Sequence, residues 1–367
     1  KLSGVRIMAY TNIDDPSAHF QIATYTGGGG GSSVTNDGNS DLKPDLVWFV
    51  TREGNYKPLI DSTRGGNKFL YSDLAQGADT GESGVGIATF NTDGFTFGST
   101  TQIYFNNTSK TYVAWQWKAN GGTTASNTTG DINTTTQVNS DAGFSIVTYT
   151  GNGGTNQTVG HGLGVSPQVI IVKNREVNAN WIVYHHKTGT SKYLNLDTAG
   201  AAADSSNIWG SSAPSSTTFT VQQHNEYNDS GEGLVAYCFA EKQGYSKFDS
   251  YVGNGSVNGP FVYTGFQPAW ILLKRSDSAS GGNWSLIDNK RSASGGANAI
   301  VYSITANTAD AESTGEAEST YGVDFLSNGF KIRASHVTRN ASGGTYIYMA
   351  FAENPFTTST GIPTTAR

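Results

Sequence analysis

The stretch GFSIVTYTGNGGTNQTVGHGLGVSPQVIIVKNREVNANWIVY, from Gly143 to Tyr184, decides how the rest of the chain is read. Phe144, Ile146, Val147 and Tyr149 fit a half-buried strand, closed by a glycine turn at Gly151. Val169-Ile170-Ile171-Val172, just after Pro167, is a β-branched run too short for a helix, which predicts a core strand. A strand opened by Trp181 follows. The same grammar occurs twice more. Between Phe20 and Tyr56, QIATYTGGGGG leads to KPDLVWFVTREGNY; between Tyr245 and Asp288, FDSYVGNG leads to FQPAWILLKR and NWSLID.

The landmarks can be matched one by one. The glycine after each first strand is Gly27, Gly151 and Gly253, and the proline before each apolar strand is Pro44, Pro167 and Pro268. Aromatic-rich strands close the copies (TYVAWQWKA, LVAYCFAEK, YIYMAFAEN), with Trp117, Phe239 and Phe351 equivalent. Such recurrence predicts an all-β chain of three tandem antiparallel β-sandwich domains of jelly-roll type, over 1–120, 121–243 and 244–367. Each is large enough to bury its own core. Lys118–Ala142 is almost devoid of large apolar residues apart from Ile132 and Val138, so 121–142 reads as a linker or an edge strand of the second unit. Asp15-Pro16 signals a short helix start, whereas Asn307–Thr320, with carboxylates at 312, 316 and 318 and no apolar face, reads as a solvated loop.

Charged residues make up 14% of the 367, aromatics 11%, and Gly alone numbers 46, the profile of a turn-rich β protein. A net charge of −6 without a Lys/Arg stripe excludes binding along a nucleic-acid backbone. No run approaches the ~18 apolar residues of a membrane-spanning helix. The single cysteine, Cys238, lies between Tyr237 and Phe239 in a core strand and reads as a buried thiol. KLSGVRIMAY lacks the apolar core of an export signal. A chain with a surface-protein composition and no such signal implies release by cell lysis.

Chemistry is sparse. His185-His186 and His161 show no metal-ligand spacing, and no Gly-x-Ser-x-Gly elbow or phosphate-binding loop is present. Asp61 and Asp288 match across units, but Tyr184 is read as their counterpart in the second, which argues against a catalytic acid there. Trp48, Trp115, Trp117 and Trp270 belong to core strands, and Trp181 and Trp284 are equivalent to each other. Trp209, in the polar segment SSNIWGSSAPSS, has no counterpart; an indole there would stack on a sugar ring if exposed or else wedge between domains, and the first reading makes it the candidate ligand-binding residue. No cofactor is implied.

The strings IDDPSAHFQ, GNSDLKPDLVW, TYVAWQWKANGG, VGHGLGVSPQVIIVKNR, AYCFAEKQGYSKF, FVYTGFQPAW, FLSNGFKIR and GGTYIYMAFAENPF resemble those of virion structural proteins from tailed phages of marine bacteria. The resemblance runs over nearly the whole chain. It implies concanavalin-A-like or laminin-G-like sandwich repeats on a tail fibre or capsid surface, and transfers no catalytic residue. The expected role is a non-enzymatic virion surface protein that aids adsorption through weak multivalent contact with host glycans. Its expected partners are other virion proteins and further copies of itself. A polysaccharide depolymerase, which would need a carboxylate pair in a groove, and a secreted carbohydrate-binding module are the alternatives.

Overall fold

Every residue of the strands Leu46–Thr51 and Val169–Asn174 is buried, although successive side chains of a strand point to opposite faces. Both faces of the sheets that hold them must therefore be covered. A computed structural model shows how, describing residues 9–77, 81–204, 206–210, 212–291, 298–314 and 316–364; most of the stretch read for an export signal lies outside these. The fold is almost entirely antiparallel β-sheet.

Three large sheets repeat one strand order. Across the first run Phe20–Thr26, Thr111–Trp117, Leu46–Thr51, Pro58–Asp61 and Phe69–Tyr71; across the third, Ser246–Val252, Thr345–Pro355, Phe266–Arg275, Ser285–Asp288 and Ile304–Thr305. The second has Phe144–Thr150, Gly233–Phe239, Val169–Asn174, Ile182–His185 and Lys192–Asn195 in the same order, with further strands at both edges. Thr134–Asn139 pairs with Phe144–Thr150 and is itself flanked by Ala125–Asn127. The apolar-poor segment between the first two units is thus a two-strand extension of the second sheet as well as a connection.

A smaller sheet covers the outer face of each large one. Ser33–Val34, Phe95–Phe97 and Ile87–Phe90 do so in the first unit, Gln157–Gly160 and Thr218–Val221 in the second, and Phe261–Tyr263, Gly329–Ile332 and Val323–Leu326 in the third. Three separate apolar clusters fill these sandwiches. The inner faces of all three large sheets meet in a fourth cluster common to the units. In the first unit Val47 and Phe49 point outward into the local cluster, while Leu46, Trp48 and Val50 point inward to the common one. Each unit fills a core of its own and also a third of a shared one.

The arrangement closes on itself. Trp117, Phe239 and Phe351, matched by sequence, touch one another with ring centroids 5.7 to 6.4 Å apart. Mutual contact among three equivalent residues places them on a pseudo-threefold axis. The glycine landmarks also have a physical cause. A Cβ on Gly27, Gly151 or Gly253 would lie 2.1, 2.1 or 2.3 Å from the carbonyl oxygen of Asn107, Asp229 or Ala341, so no side chain fits where the first strand turns under the closing loop.

Asp15 caps the 3-10 helix Pro16–Ala18 through its side chain. The segment read as a solvated loop carries one turn of helix, Glu318–Tyr321, and its Glu312 is buried. Because Phe351 contacts the equivalent rings of both other units, Phe351→Ala is expected to cost about 3–5 kcal/mol. Urea unfolding followed by tryptophan emission should show a single transition moved to lower urea; one unit melting separately would contradict the shared core.

Candidate functional site

The pairing register fixes which residues are equivalent at the ends of the third strands. Leu46 pairs with Asp61, Trp270 with Asp288 and Val169 with His185. The counterpart of the two aspartates is therefore His185, one residue beyond the Tyr184 read from sequence. All three side chains are buried and reach into a neighbouring unit. Asp61 Oδ2 accepts hydrogen bonds from Arg64 Nε at 2.5 Å and from Tyr237 Oη, in the second unit, at 2.7 Å. Asp288 Oδ2 accepts from Arg291 Nε at 2.7 Å and from Trp115 Nε1, in the first unit, at 3.0 Å. His185 Nδ1 accepts from the Lys187 amide, which leaves Nε2 to donate to Tyr348 O of the third unit at 3.2 Å. Burial pushes His185 down to about 3, so it is neutral. The first unit grips the second, the second the third, and the third the first.

Sequence reasoning found the aspartates but missed their arginines, although LIDSTR and LIDNKR display both pairs. Arg291 also donates to Glu312 Oε1 at 2.6 Å, and Arg52 of the first unit takes Glu312 Oε2 at 2.7 Å. Burial costs such ions their hydration, and opposing charge and hydrogen bonds offset the loss only when nearly every donor is used.

Lysines fasten the same junctions. Lys173 and Lys274 occupy equivalent strand positions, opposite Val235 and Ile347. Lys173 Nζ donates to Ala179 O at 2.6 Å and to Ala75 O of the first unit at 3.0 Å. Lys274 Nζ donates to Gly200 O and Ala199 O of the second unit at 2.7 and 3.1 Å, and to Gly282 O. The first unit has Val50 at this position. There Lys57 serves instead, reaching Asn55 O and, in the third unit, Thr308 O and Asp310 O. Burial lowers Lys57 and Lys173 to about 8 and Lys274 to about 7.

A perturbed carboxyl can mark a catalytic site. Asp197, raised by burial to about 6, is the obvious candidate. Its Oδ1 accepts the amide of Trp181, as Asp73 does for Lys57 and Asn307 for Trp284, at equivalent positions. An asparagine performs the same task, so the task needs an acceptor rather than a charge.

Trp209 does not present an indole to solvent. It is 2% exposed, because the one-turn helix Ser206–Trp209 lays it on the second sandwich, where Tyr184 and Tyr227 cover it. A sugar cannot stack there. Trp181 and Trp284 donate their Nε1 to Tyr71 O and Asn195 O of the preceding unit. His161 is buried and bonded to Ser215 O and the Leu163 amide. Burial pushes the Cys238 thiol up to about 12. Among the described residues no group of three or more His, Cys, Asp or Glu is placed to hold a metal ion.

One family model, a domain of unknown function (DUF7483), matches residues 15–355, running through all three sheet pairs. The chain belongs to the DUF7483 family. No curated protein and no solved structure matches it.

Two predictions concern the junctions of this DUF7483 ring. Arg291→Met removes the guanidinium shared by the buried carboxylates of Asp288 and Glu312 and leaves Asp288 with no cationic partner among the described residues, at an expected cost of about 3–5 kcal/mol in urea unfolding, against ~1 kcal/mol or less for Lys290→Met, whose pairing with Asp37 is exposed. Equal losses would refute the assignment. His185 stays neutral in the folded chain down to about pH 3, whereas unfolded it takes a proton near pH ~6.5. The unfolded state then binds more protons between these values, so stability falls as pH drops through that window, by up to ~1.4 kcal/mol per pH unit. His185→Gln should flatten the slope of urea midpoint against pH.

Proposed function

We propose that this chain is a non-enzymatic structural protein of a virion surface, carried on a tail fibre or capsid and aiding host adsorption through weak multivalent contact with surface glycans. The observation that carries the reading is the use made of buried ionisable groups. Asp45, Asp61, Asp288 and Glu312 are each held by two or more donors, and the buried lysines are spent on carbonyls of adjoining units. Such chemistry holds a shape. The likeness of the sequence strings to marine phage virion proteins supplies the setting, in which other virion proteins and further copies of this chain are the partners. Weak contacts gain strength when many copies are displayed together.

The test compares chains coupled densely to beads with chains free in solution, in adsorption to bacterial cells, and assays the cell polysaccharide for new reducing ends. Adsorption by beads alone, without reducing ends, is expected. Released reducing ends would establish a depolymerase instead, and beads that fail to adsorb to any marine host would remove the adhesion reading.

A further inference from the structure

The third unit departs from the other two at one place. The amides of Gly29, Gly153 and Gly255 donate to the carbonyls of Asn106, Asn228 and Asn340, which makes the preceding residues, Phe105, Tyr227 and Arg339, equivalent. All three are fully buried. The edge-strand register likewise makes Phe69, Tyr193 and Ser303 equivalent, each two residues before the partner of Pro58, Ile182 and Ser285. In the first unit Phe69 packs edge-on against Phe105, with centroids 6.1 Å apart, so these two positions face each other across the sandwich. The third unit has a serine and an arginine where the first has two phenyl rings.

Space beside Ser303 is open. A cavity of about 210 Å³ is lined by Asn283, Ser285, Ser303, Thr305, Thr338 and Tyr321. It is smaller than the ~300 Å³ typical at the low end for drug-sized ligands, and suited to one sugar-sized ring. Arg339, fully buried and not itself part of the lining, has its guanidinium 5.2 Å from the centre of the ring of Tyr321, which is. One nitrogen donates to Tyr321 O, whereas among the described residues Nε and Nη2 have no partner and no carboxylate pairs with the group. Asp310 also lines the cavity, but its carboxylate accepts from Thr308 Oγ1 at 2.8 Å. Glu316 takes Ser313 Oγ at 3.4 Å, and the His336 ring lies 4.7 Å from that of Tyr321. An arginine buried without a counter-ion is costly where a phenylalanine would fit.

We infer that this cavity of the third unit binds a sugar residue bearing a carboxylate, a uronic acid, with the hydroxyl lining meeting the sugar and Arg339 supplying the charge that favours the acid over a neutral sugar. The inference deepens the glycan-contact reading and names the substrate class of one site.

Titration of the full chain with sodium glucuronate, glucose and sodium acetate, followed by calorimetry or ligand-observed NMR, tests it. Glucuronate is expected to bind at least tenfold more tightly than either control. Arg339→Phe and Ser303→Phe each restore the first unit's residue and should weaken glucuronate at least tenfold with the thermal transition retained. Arg339→Lys keeps the charge and should retain part of the affinity. Equal binding of glucose or acetate, no binding of glucuronate, or affinity unchanged in both phenylalanine variants overturns the inference. Adsorption of beads to cells is scored separately: beads that adsorb without glucuronate binding remove this site alone, and glucuronate binding without adsorption keeps the site and removes the adhesion role.

Discussion

A sheet that is apolar on both faces cannot rest with one of them in water, and this constraint governs the molecule. At about 25 cal/mol per Å² of apolar surface, leaving Trp48, Trp115, Ile171, Leu272 and their neighbours uncovered would outweigh the few kcal/mol by which domains are stable. The small outer sheets cover one face. Only another large sheet is wide enough for the other, and with three alike the mutual solution is a ring about Trp117, Phe239 and Phe351.

Polar groups at the junctions follow from that closure. Where sheets converge, strand ends and backbone carbonyls are carried away from water and must find partners. Asp61, His185 and Asp288 satisfy one set, each reaching the following unit, and Lys57, Lys173 and Lys274 another, each reaching the preceding one round the ring. Apolar packing is non-directional; these bonds add direction and fix how far each unit is turned against the next.

The glycine landmarks were legible because they are backbone requirements: at each a carbonyl passes within 2.3 Å of a would-be Cβ. Leu46–Val50 and Val169–Val172 were legible as core strands from their unbroken apolar runs. What those runs could not show is which partner covers each face, so the common core was invisible. The slip between Tyr184 and His185 arose because register is set by hydrogen-bond pairing, and a run such as IVYHH offers no mark of where it ends. Trp209 was misread because its neighbours are polar, and four residues of helix sufficed to turn the indole inward. Glu312 sits among small and acidic residues that look solvated; its burial depends on Arg52 and Arg291, distant in sequence.

Head-to-tail contacts of this kind also build rings from separate identical subunits. In such a trimer any substitution appears three times, once in every subunit, and each position must suit all three surroundings together. Here one polypeptide supplies every copy, so the surroundings can drift apart. Residues 105, 227 and 339 record the outcome as a phenylalanine, a tyrosine and an arginine on a single architectural plan. Covalent continuity turns symmetry from a rule into a starting point, and lets one corner of the ring hold a buried charge where the other two hold aromatic rings.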